Sequence, residues 1–290
     1  GHVSSIDVFQ MKEGGDVVAT ADVGRESKIC VWSSCNLQLI VAMQCLHQCG
    51  ISKLNFSPSG ELLLTLGNND LNSIAVYSWR ERKVIFTSSL SSTEVFDISF
   101  LSTDNSFGVC TRESVVFWRR RETKMPYLRC RGVFDRLSAE VMTNIVAVGD
   151  SVITLSLSGR IWAWEGRVCS KLVTLRTGLV THMHAPRNSS TNIRLCVSTQ
   201  CGSIHLLDSN LEPLHEFGPN KQLDELDRII DVVCYHPGYE RVIFGQRKGC
   251  LYQMSAQYKV AIIAANHPRV RVISVKDKSV VTVGAGTIKI

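Results

Sequence analysis

The 290-residue sequence has no long apolar run and no signature of a known catalytic site. Its longest apolar stretches are short pieces such as residues 260–265, whereas a membrane-spanning helix needs roughly 18 to 20 apolar residues. The G-x-S-x-G, P-loop and H-E-x-x-H motifs are all missing. These absences predict a soluble, non-catalytic protein that needs no cofactor and does not bind a membrane.

The cysteine pattern lacks both a disulfide framework and a complete set of metal ligands. The eleven cysteines are odd in number and irregular in spacing, which favours reduced thiols in a cytosolic protein. Residues 45–49, CLHQC, resemble half of a ligand cluster. A structural zinc site needs four donors, and no second half is visible. The sequence therefore predicts no metal site.

Residues 51–79 define a pattern that repeats along the chain. They contain three short apolar runs, 51–56, 61–66 and 74–79, separated by the turn sequences SPSG and GNND. Gly, Pro, Asn and Asp favour tight turns, and the β-branched and aromatic residues of the runs suit half-buried strands. The stretch predicts a three-strand antiparallel meander.

The end of the third strand recurs at regular intervals. Six copies of the phrase end at Trp32, Tyr77, Trp118, Trp164, Leu207 and Met254. The successive spacings are 45, 41, 46, 43 and 47 residues. A period of about 40 to 45 residues with four strands per repeat is typical of propeller blades. The sequence therefore predicts an all-β fold, a seven-bladed β-propeller whose last blade is incomplete.

A single propeller domain is expected to span residues 1–290. Its blades are predicted at 1–44, 45–90, 91–135, 136–176, 177–218, 219–268 and, as a partial seventh, 269–290. The seventh copy stops one residue before its third-strand aromatic. We therefore expect the chain to be a fragment of a longer protein, with the missing strand supplied from elsewhere.

Blade one carries, in matching order, the residues of a hydrogen-bonded set that is found in WD repeats. They are His2 in a Gly-His opening, Thr20 in the second strand, Asp22 in the next turn and the third-strand Trp32. The blade resembles a WD repeat, although residues 23–27 lengthen the turn before the third strand. The resemblance implies a structural role for the set. The aromatics in the equivalent position, Trp32, Tyr77, Trp118 and Trp164, are all expected to be buried.

Several longer phrases follow one another in a distinctive order. They include VYSWRERK after blade two, EVFDISF to VVFW in blade three, and LLDSNLEPLHEF in blade five. This series, which covers nearly the whole chain, is similar to the first propeller of the echinoderm-microtubule-associated-protein-like family. The resemblance implies a protein-interaction module that binds tubulin or microtubules. It also implies a preceding hydrophobic motif and a following second propeller.

A strongly basic segment lies between residues 118 and 136. Its members are Arg119, Arg120, Arg121, Lys124, Arg129, Arg131 and Arg136, against only Glu122 and Asp135, a local charge of +5. One interpretation is a solvated outer strand and loop. The other is a docking surface for an acidic partner such as the tails of tubulin. Nucleic acid is disfavoured, because only Tyr127 offers a stacking surface among these charges and no nucleic-acid-binding module is recognised.

Two hypotheses about function therefore stand. The first is a tubulin-binding module of a microtubule-associated protein, located in the cytoplasm and cytoskeleton. The second is a WD-repeat scaffold of an axonemal, flagellar or signalling complex, because residues 19–22, ATAD, and the long turn after them also resemble certain flagellar propeller proteins. The strand histidines His182 and His184 lack the third ligand of a metal triad and are interpreted as structural or exposed.

Overall fold

The computed structural model describes most of the chain. The described residues are 2–9, 11, 15–24, 26–68, 72–90, 93–122, 124, 126–135, 137–186, 191–219, 229–236, 240–246, 250–255, 260–264, 270–276, 279–284 and 287–289. For His2 and for residues beyond 261, the description covers the backbone alone. The basic residue Arg136 lies outside the described residues.

Every regular element in the described residues is a β-strand, and the strands form seven sheets in chain order. Sheet 1 contains β1 (His2–Phe9), β2 (Val17–Val23), β3 (Lys28–Ser33) and β4 (Leu39–Gln44). Sheet 2 contains β5 (Ile51–Phe56), β6 (Leu62–Gly67), β7 (Ser73–Ser78) and β8 (Lys83–Ser89). Sheet 3 contains β9 (Val95–Phe100), β10 (Ser106–Thr111), β11 (Val115–Arg119) and β12 (Leu128–Arg131).

The remaining sheets follow the same order of strands. Sheet 4 contains β13 (Met142–Val148), β14 (Ser151–Ser156), β15 (Ile161–Glu165) and β16 (Val168–Val173). Sheet 5 contains β17 (Val180–His184), β18 (Leu195–Thr199), β19 (Ile204–Leu207) and β20 (Pro213–Phe217). Sheet 6 contains β21 (Ile230–His236), β22 (Arg241–Gln246), β23 (Leu251–Ser255) and β24 (Val260–Ala264). Sheet 7 contains β25 (Val270–Lys276), β26 (Ser279–Gly284) and β27 (Thr287–Lys289).

In the part of the chain that the structure describes, six blades are complete. Sheets 1 to 6 each have four strands in sequential order, which is the architecture of a propeller blade, whereas sheet 7 has three. The prediction of seven blades is therefore corrected to six blades and one three-stranded sheet. The repeating meander itself is confirmed, since its second copy forms β5, β6 and β7 within one residue of the predicted bounds.

The chain divides into two compact units. The first is Gly1–Asp150 with Glu165–Cys169, and the second is Ser151–Trp164 with Ser170–Ile290. In the first unit the first strands of successive sheets contact one another, β1 with β5, β5 with β9 and β9 with β13. In the second unit β17 contacts β21, and β21 contacts β25. Within each unit, neighbouring sheets therefore meet along their first strands.

The cores lie between neighbouring sheets. In β7, Ala75 and Tyr77 belong to the cluster shared with sheet 1, whereas Ile74 and Val76 belong to the cluster shared with sheet 3. Successive side chains of a strand point to opposite faces, so a strand with a core on both sides must be apolar throughout. This explains why the middle strands contain uninterrupted apolar runs. In the second unit an equivalent cluster joins sheets 5 and 6.

The third-strand aromatics occupy equivalent positions with one difference in burial. Tyr77, Trp118 and Trp164 are buried, as predicted, but Trp32 is only half-buried. Tyr77 faces the preceding sheet, which supplies the atoms that cover it. Trp32 lies on the face of β3 opposite to Ile29, which faces sheet 2. No core cluster of the described residues covers that face, so the prediction that Trp32 is buried is wrong.

Several outer strands are interrupted by a one-residue shift in register. The shift occurs in β4, β8, β20 and β24. In β4, β8 and β20 the residue without a partner on the neighbouring strand is Ile40, Ile85 and Leu214, respectively. All three side chains are exposed. A bulge of this kind twists a strand and makes its edge a poor template for another strand. Strand β12 differs, because its four residues pair with β11 without a shift.

Candidate functional site

The predicted set in blade one is partly assembled in the structure. Trp32 Nε1 donates a hydrogen bond to Thr20 Oγ1 at 3.0 Å. Asp22 accepts a hydrogen bond from the backbone N–H of Lys28 at 2.6 Å, which closes the long turn before β3. The side chain of His2 lies outside the description. Blade one therefore contains the Thr–Trp pair of a WD repeat, and Asp22 stabilises its turn.

A complete four-residue network lies in blade two, where the sequence did not reveal it. His47 Nδ1 is 2.6 Å from Ser73 Oγ, and His47 Nε2 is 2.8 Å from Thr65 Oγ1. Tyr77 interacts with Thr65, and its hydroxyl accepts a hydrogen bond from the backbone N–H of Leu46 at 3.1 Å. Thr65, like Thr20, stands in a second strand beside a third-strand aromatic. The network has the composition of a WD-repeat set, with Ser73 replacing the aspartate and Tyr77 replacing the tryptophan.

The chemistry of this network is structural. Burial lowers the pKa of His47 from its ordinary 6.5 to about 4, and burial also raises the pKa of Tyr77. The imidazole is therefore neutral at pH 7, and both of its nitrogens face hydroxyl groups. The Thr65 hydroxyl contacts the Ala75 carbonyl at 3.3 Å. If Thr65 donates that bond, Nε2 carries the imidazole proton and Nδ1 accepts from Ser73.

The structure shows what the side chains of residues 45–49, the segment that resembles half of a ligand cluster, contact. His47 has no ring nitrogen left for a metal, and Cys45 contacts the Tyr77 hydroxyl at 3.8 Å. Cys49 is exposed. In the described part of the chain, no group of three or more His, Cys, Asp or Glu side chains is arranged to hold a metal ion.

The Thr–aromatic pair recurs in blade four but is incomplete in blade three. Trp164 Nε1 donates to Thr154 Oγ1 at 2.8 Å. In blade three the residue that pairs with Val116, two positions before Trp118, is Val109. Trp118 Nε1 is buried and has no hydrogen-bond partner among the described residues. The lost threonine therefore explains the unsatisfied indole of Trp118.

In the first unit, a recurring hydrogen bond from a backbone N–H to a side chain joins the first strands of neighbouring sheets. Asp7 accepts a hydrogen bond from the Phe56 N–H at 2.7 Å. Asn55 accepts one from the Phe100 N–H at 2.7 Å, and Asp97 accepts one from the Ile145 N–H at 3.1 Å. Each sheet thus satisfies a backbone donor of the next. These three polar residues interrupt apolar strands at nearly equal intervals, and that spacing is the signal by which sequence analysis could have found them.

In the second unit, the strand histidines His182 and His184 likewise accept backbone hydrogen bonds from the next sheet. His182 Nδ1 accepts a hydrogen bond from the Val233 N–H at 3.3 Å, and His184 Nδ1 accepts one from the Tyr235 N–H at 3.3 Å. His184 Nε2 is 3.5 Å from Cys234 Sγ. The contacts support a structural role, one of the two interpretations drawn from the sequence.

In the structure, the basic segment around β12 contains both exposed residues and one buried arginine. Arg119, Arg121 and Lys124 are exposed, but Arg120 is buried, and Arg120 Nε donates to Asn105 Oδ1 at 2.9 Å. The Arg120 guanidinium also lies 4.7 Å from the centroid of the Tyr127 ring. Arg120 therefore stabilises blade three and, contrary to the expectation for an outer-strand charge, is not available to a partner.

The two arginines of β12 lie on one face of sheet 3. Arg129 pairs with Trp118 and Arg131 with Val116, whose side chains face sheet 2. The Arg129 guanidinium lies 5.9 Å from the Trp118 ring centroid, and Arg131 donates a hydrogen bond to the Glu113 carbonyl at 3.3 Å. Arg119 pairs with Leu128 on the other face. The predicted site residues thus form two exposed basic surfaces, with Arg120 between them in sequence.

Comparison with known proteins supports a propeller and gives a distant relative. No family model matches the chain. It is 24% identical over 178 residues to the cilia- and flagella-associated protein 251 of Tetrahymena thermophila, covering 57% of this chain and 18% of that relative. The structure is similar to the β-propeller domain of Cps50 (Swd1) from Myceliophteria thermophila, with a TM-score of 0.77 and 16% identity over 99% of this chain and 95% of that domain.

These findings define a WD-repeat-like β-propeller fold. The fold comes from the structural similarity, and the Thr–aromatic pairs and the His47 network supply its WD-like chemistry. The chain spans less than a fifth of the curated relative it matches. Among the described residues, no helix has the length and apolar character needed to cross a membrane.

Proposed function

We propose that this propeller is a non-catalytic interaction module that binds tubulin or microtubules. Its setting would be the cytoskeleton, including that of cilia and flagella. The proposal rests on the exposed basic residues around β12, together with the resemblance to the first propeller of echinoderm-microtubule-associated-protein-like proteins. The distant similarity to a cilia- and flagella-associated protein supports a microtubule-based setting.

The observation that carries the proposal is a group of cations that have no acidic partner among the described residues. Arg119, Arg121, Lys124, Arg129 and Arg131 are exposed. None of them forms an ion pair with a residue that the structure describes, in contrast to Arg112, which pairs with Glu94 at 3.3 Å. Unpaired cations attract an acidic partner without first breaking an internal ion pair. Acidic, extended tubulin tails have the required charge.

Reversal of the basic surfaces tests the proposal. A quadruple variant with Arg119, Arg121, Arg129 and Arg131 changed to Glu should lose most binding to tubulin in a pull-down with the longest available chain. A matched control reverses Lys28, Lys83, Arg112 and Arg176, which are exposed but dispersed over four blades. This control should bind nearly as well as the parent.

Salt and tail removal provide two further checks. The Debye length falls from about 10 Å at 0.1 M salt to about 3 Å at 1 M, so binding should weaken steeply over that range. Tubulin stripped of its acidic tails should bind poorly. If a folded quadruple variant binds tubulin as tightly as the parent, the proposal is refuted and the arginines belong to a solvated surface.

A second candidate function is a scaffold of an axonemal, flagellar or signalling complex that does not contact tubulin. The similarity to the ciliary protein favours it. Purified tubulin separates the two candidates, because a scaffold would retain partners from a ciliary extract and ignore tubulin.

We also propose that residues 1–290 form a single propeller domain. Strand β25 contacts β21 as β21 contacts β17, so sheet 7 follows sheet 6 as sheet 6 follows sheet 5. One domain should unfold in urea in a single cooperative transition, and two separate transitions would refute it.

A further inference from the structure

Strand β12 has the most regular outer edge among the outer strands whose pairing is described. Strands β4, β8, β20 and β24 each contain a register shift. Strand β12 pairs with β11 through four consecutive residues without one. An unbulged edge presents its backbone groups in the regular spacing that another strand can match.

The backbone groups that point away from sheet 3 can be assigned. The N–H of Gly132 donates to the Val115 carbonyl at 2.8 Å, so Gly132 directs its backbone groups towards β11. Backbone direction alternates along a strand. Cys130 and Leu128 therefore also face β11, whereas Arg129 and Arg131 direct their N–H and C=O groups outwards. No described residue pairs with this outer side of β12.

The neighbouring blade shows that an outer edge in this protein can pair with an extended residue from outside its sheet. Val133 forms a parallel bridge to Val168 in β16. Its N–H donates to the Arg167 carbonyl at 2.8 Å, and its carbonyl accepts the Cys169 N–H at 2.8 Å. The chain leaving β12 thus adds to the edge of β16. Strand β12 has no such cover in the described residues.

The charges at the open edge of β12 determine which kind of segment can pair with it. Arg129 and Arg131 are adjacent on one face, Arg119 lies on the other, and Leu128 is 63% exposed. Two like charges disfavour pairing of β12 with a second copy of itself. They favour an extended segment that carries carboxylates, with an apolar side chain for Leu128. Charge repulsion here replaces the register shift that is found in β4, β8, β20 and β24.

We propose that an acidic, extended peptide binds by adding as a fifth strand to the outer edge of β12. The inference rests on the proposed function and specifies how the acidic partner is held. Backbone hydrogen bonds to Arg129 and Arg131 fix the register, and their guanidinium groups pair with carboxylates of the added strand. This mode uses main-chain bonds for affinity and side chains for selectivity.

A pair of synthetic peptides separates strand addition from simple charge attraction. The probe is a capped peptide of alternating Glu and Val, and the control is the same peptide with every backbone nitrogen methylated. The control keeps all charges but cannot donate a backbone hydrogen bond. The unmodified peptide should bind at least tenfold more tightly, because each backbone bond contributes up to about tenfold. Hydrogen exchange at the Arg129 and Arg131 amides should slow when it binds.

Two variants test the same point from the protein side. Arg131→Ala removes the charge and keeps the outward N–H, whereas Arg131→Pro removes both. Proline is tolerated at an edge where the N–H faces away from the sheet. Arg131→Pro should therefore bind the Glu-Val peptide about tenfold more weakly than Arg131→Ala. A lysine-containing peptide, Lys-Val in alternation, should not bind the parent protein.

The outcomes distinguish this inference from the proposed function. If the methylated and unmodified peptides bind equally, strand addition is refuted and charge-based docking stands. If neither acidic peptide binds while tubulin does, strand addition is likewise refuted. If neither the peptides nor tubulin bind, the proposed function is refuted as well. The peptide comparison decides the matter even if Arg131→Pro fails to fold.

Discussion

Protonation of His47 should destabilise the protein as the pH falls below neutral. His47 is 3% exposed and its ring lies between the hydroxyls of Thr65 and Ser73. A charged imidazole must donate from both nitrogens and lose its hydration, and burial opposes this by lowering the pKa of His47 to about 4. The unfolded chain retains an ordinary histidine pKa near 6.5.

The size of the effect follows from the two pKa values. Because the folded-state pKa is the lower one, the unfolded chain binds the proton first when the pH drops below about 6.5. The contribution of neutral His47 is therefore complete above that pH and is lost progressively towards the folded-state pKa of about 4. The loss amounts to about 2 kcal/mol at pH 5 and about 3 kcal/mol at pH 4.

Urea unfolding of the parent and of His47→Gln measures this contribution. Glutamine can keep a hydrogen bond to one hydroxyl but does not titrate, so the variant should be less stable by about 1 to 2 kcal/mol at pH 7.5. The difference should shrink or reverse by pH 4.5. Other titrating groups, including His205, whose pKa burial also lowers, are present in both proteins and cancel in the difference. Parallel pH profiles of the two proteins would refute the assignment of a neutral, buried His47.

Three further changes should reveal how the blades are stabilised. Gly67→Ala places a Cβ against His47 Nδ1 and 2.5 Å from Ser73 Oγ, and should cost about 2 to 4 kcal/mol of unfolding free energy in a urea titration; a cost under about 0.5 kcal/mol would contradict the network. Asp97→Ala removes the acceptor of the Ile145 N–H and the ion pair with Lys53 at 3.3 Å. It should lower the free energy of unfolding by about 1 to 3 kcal/mol. The control, Glu81→Ala at an exposed position, should change it little. Trp164→Ala should cost about 3 to 5 kcal/mol, and Trp32→Ala distinctly less because Trp32 is half-buried; equal losses would argue against the difference in burial.

The sequence predicted the fold well because the fold repeats. One meander at residues 51–79, found six times, specifies the strands and turns of six blades. Apolar runs in the middle strands predicted burial correctly for Tyr77 and Trp164. Burial of Trp32 was not predictable from its own repeat, since it depends on what lies on the far face of sheet 1.

The structural networks were harder to predict because their residues are distant in sequence. His47 stands 18 residues before Thr65 and 26 before Ser73, and the two cysteines that flank it resembled only half of a ligand cluster. The sequence predicted that all three arginines of the segment RRR at 119–121 stay exposed. Strand β11 ends at Arg119, and Arg120 then turns back to Asn105 and Tyr127. Charge alone could not separate the structural arginine from its exposed neighbours.

The position of a residue within a blade determines whether it is free to bind a partner. First strands satisfy one another through Asp7, Asn55 and Asp97, and the middle strands of blade two are covered by a core on both faces. Asp7, Asn55 and Asp97 already have partners, so changing them alters stability before it alters binding. Outer strands lack these constraints, and their edges are the places where a partner can meet unpaired backbone. Among them β12 combines an unbulged edge with two exposed arginines, which is why its partner should be both extended and acidic.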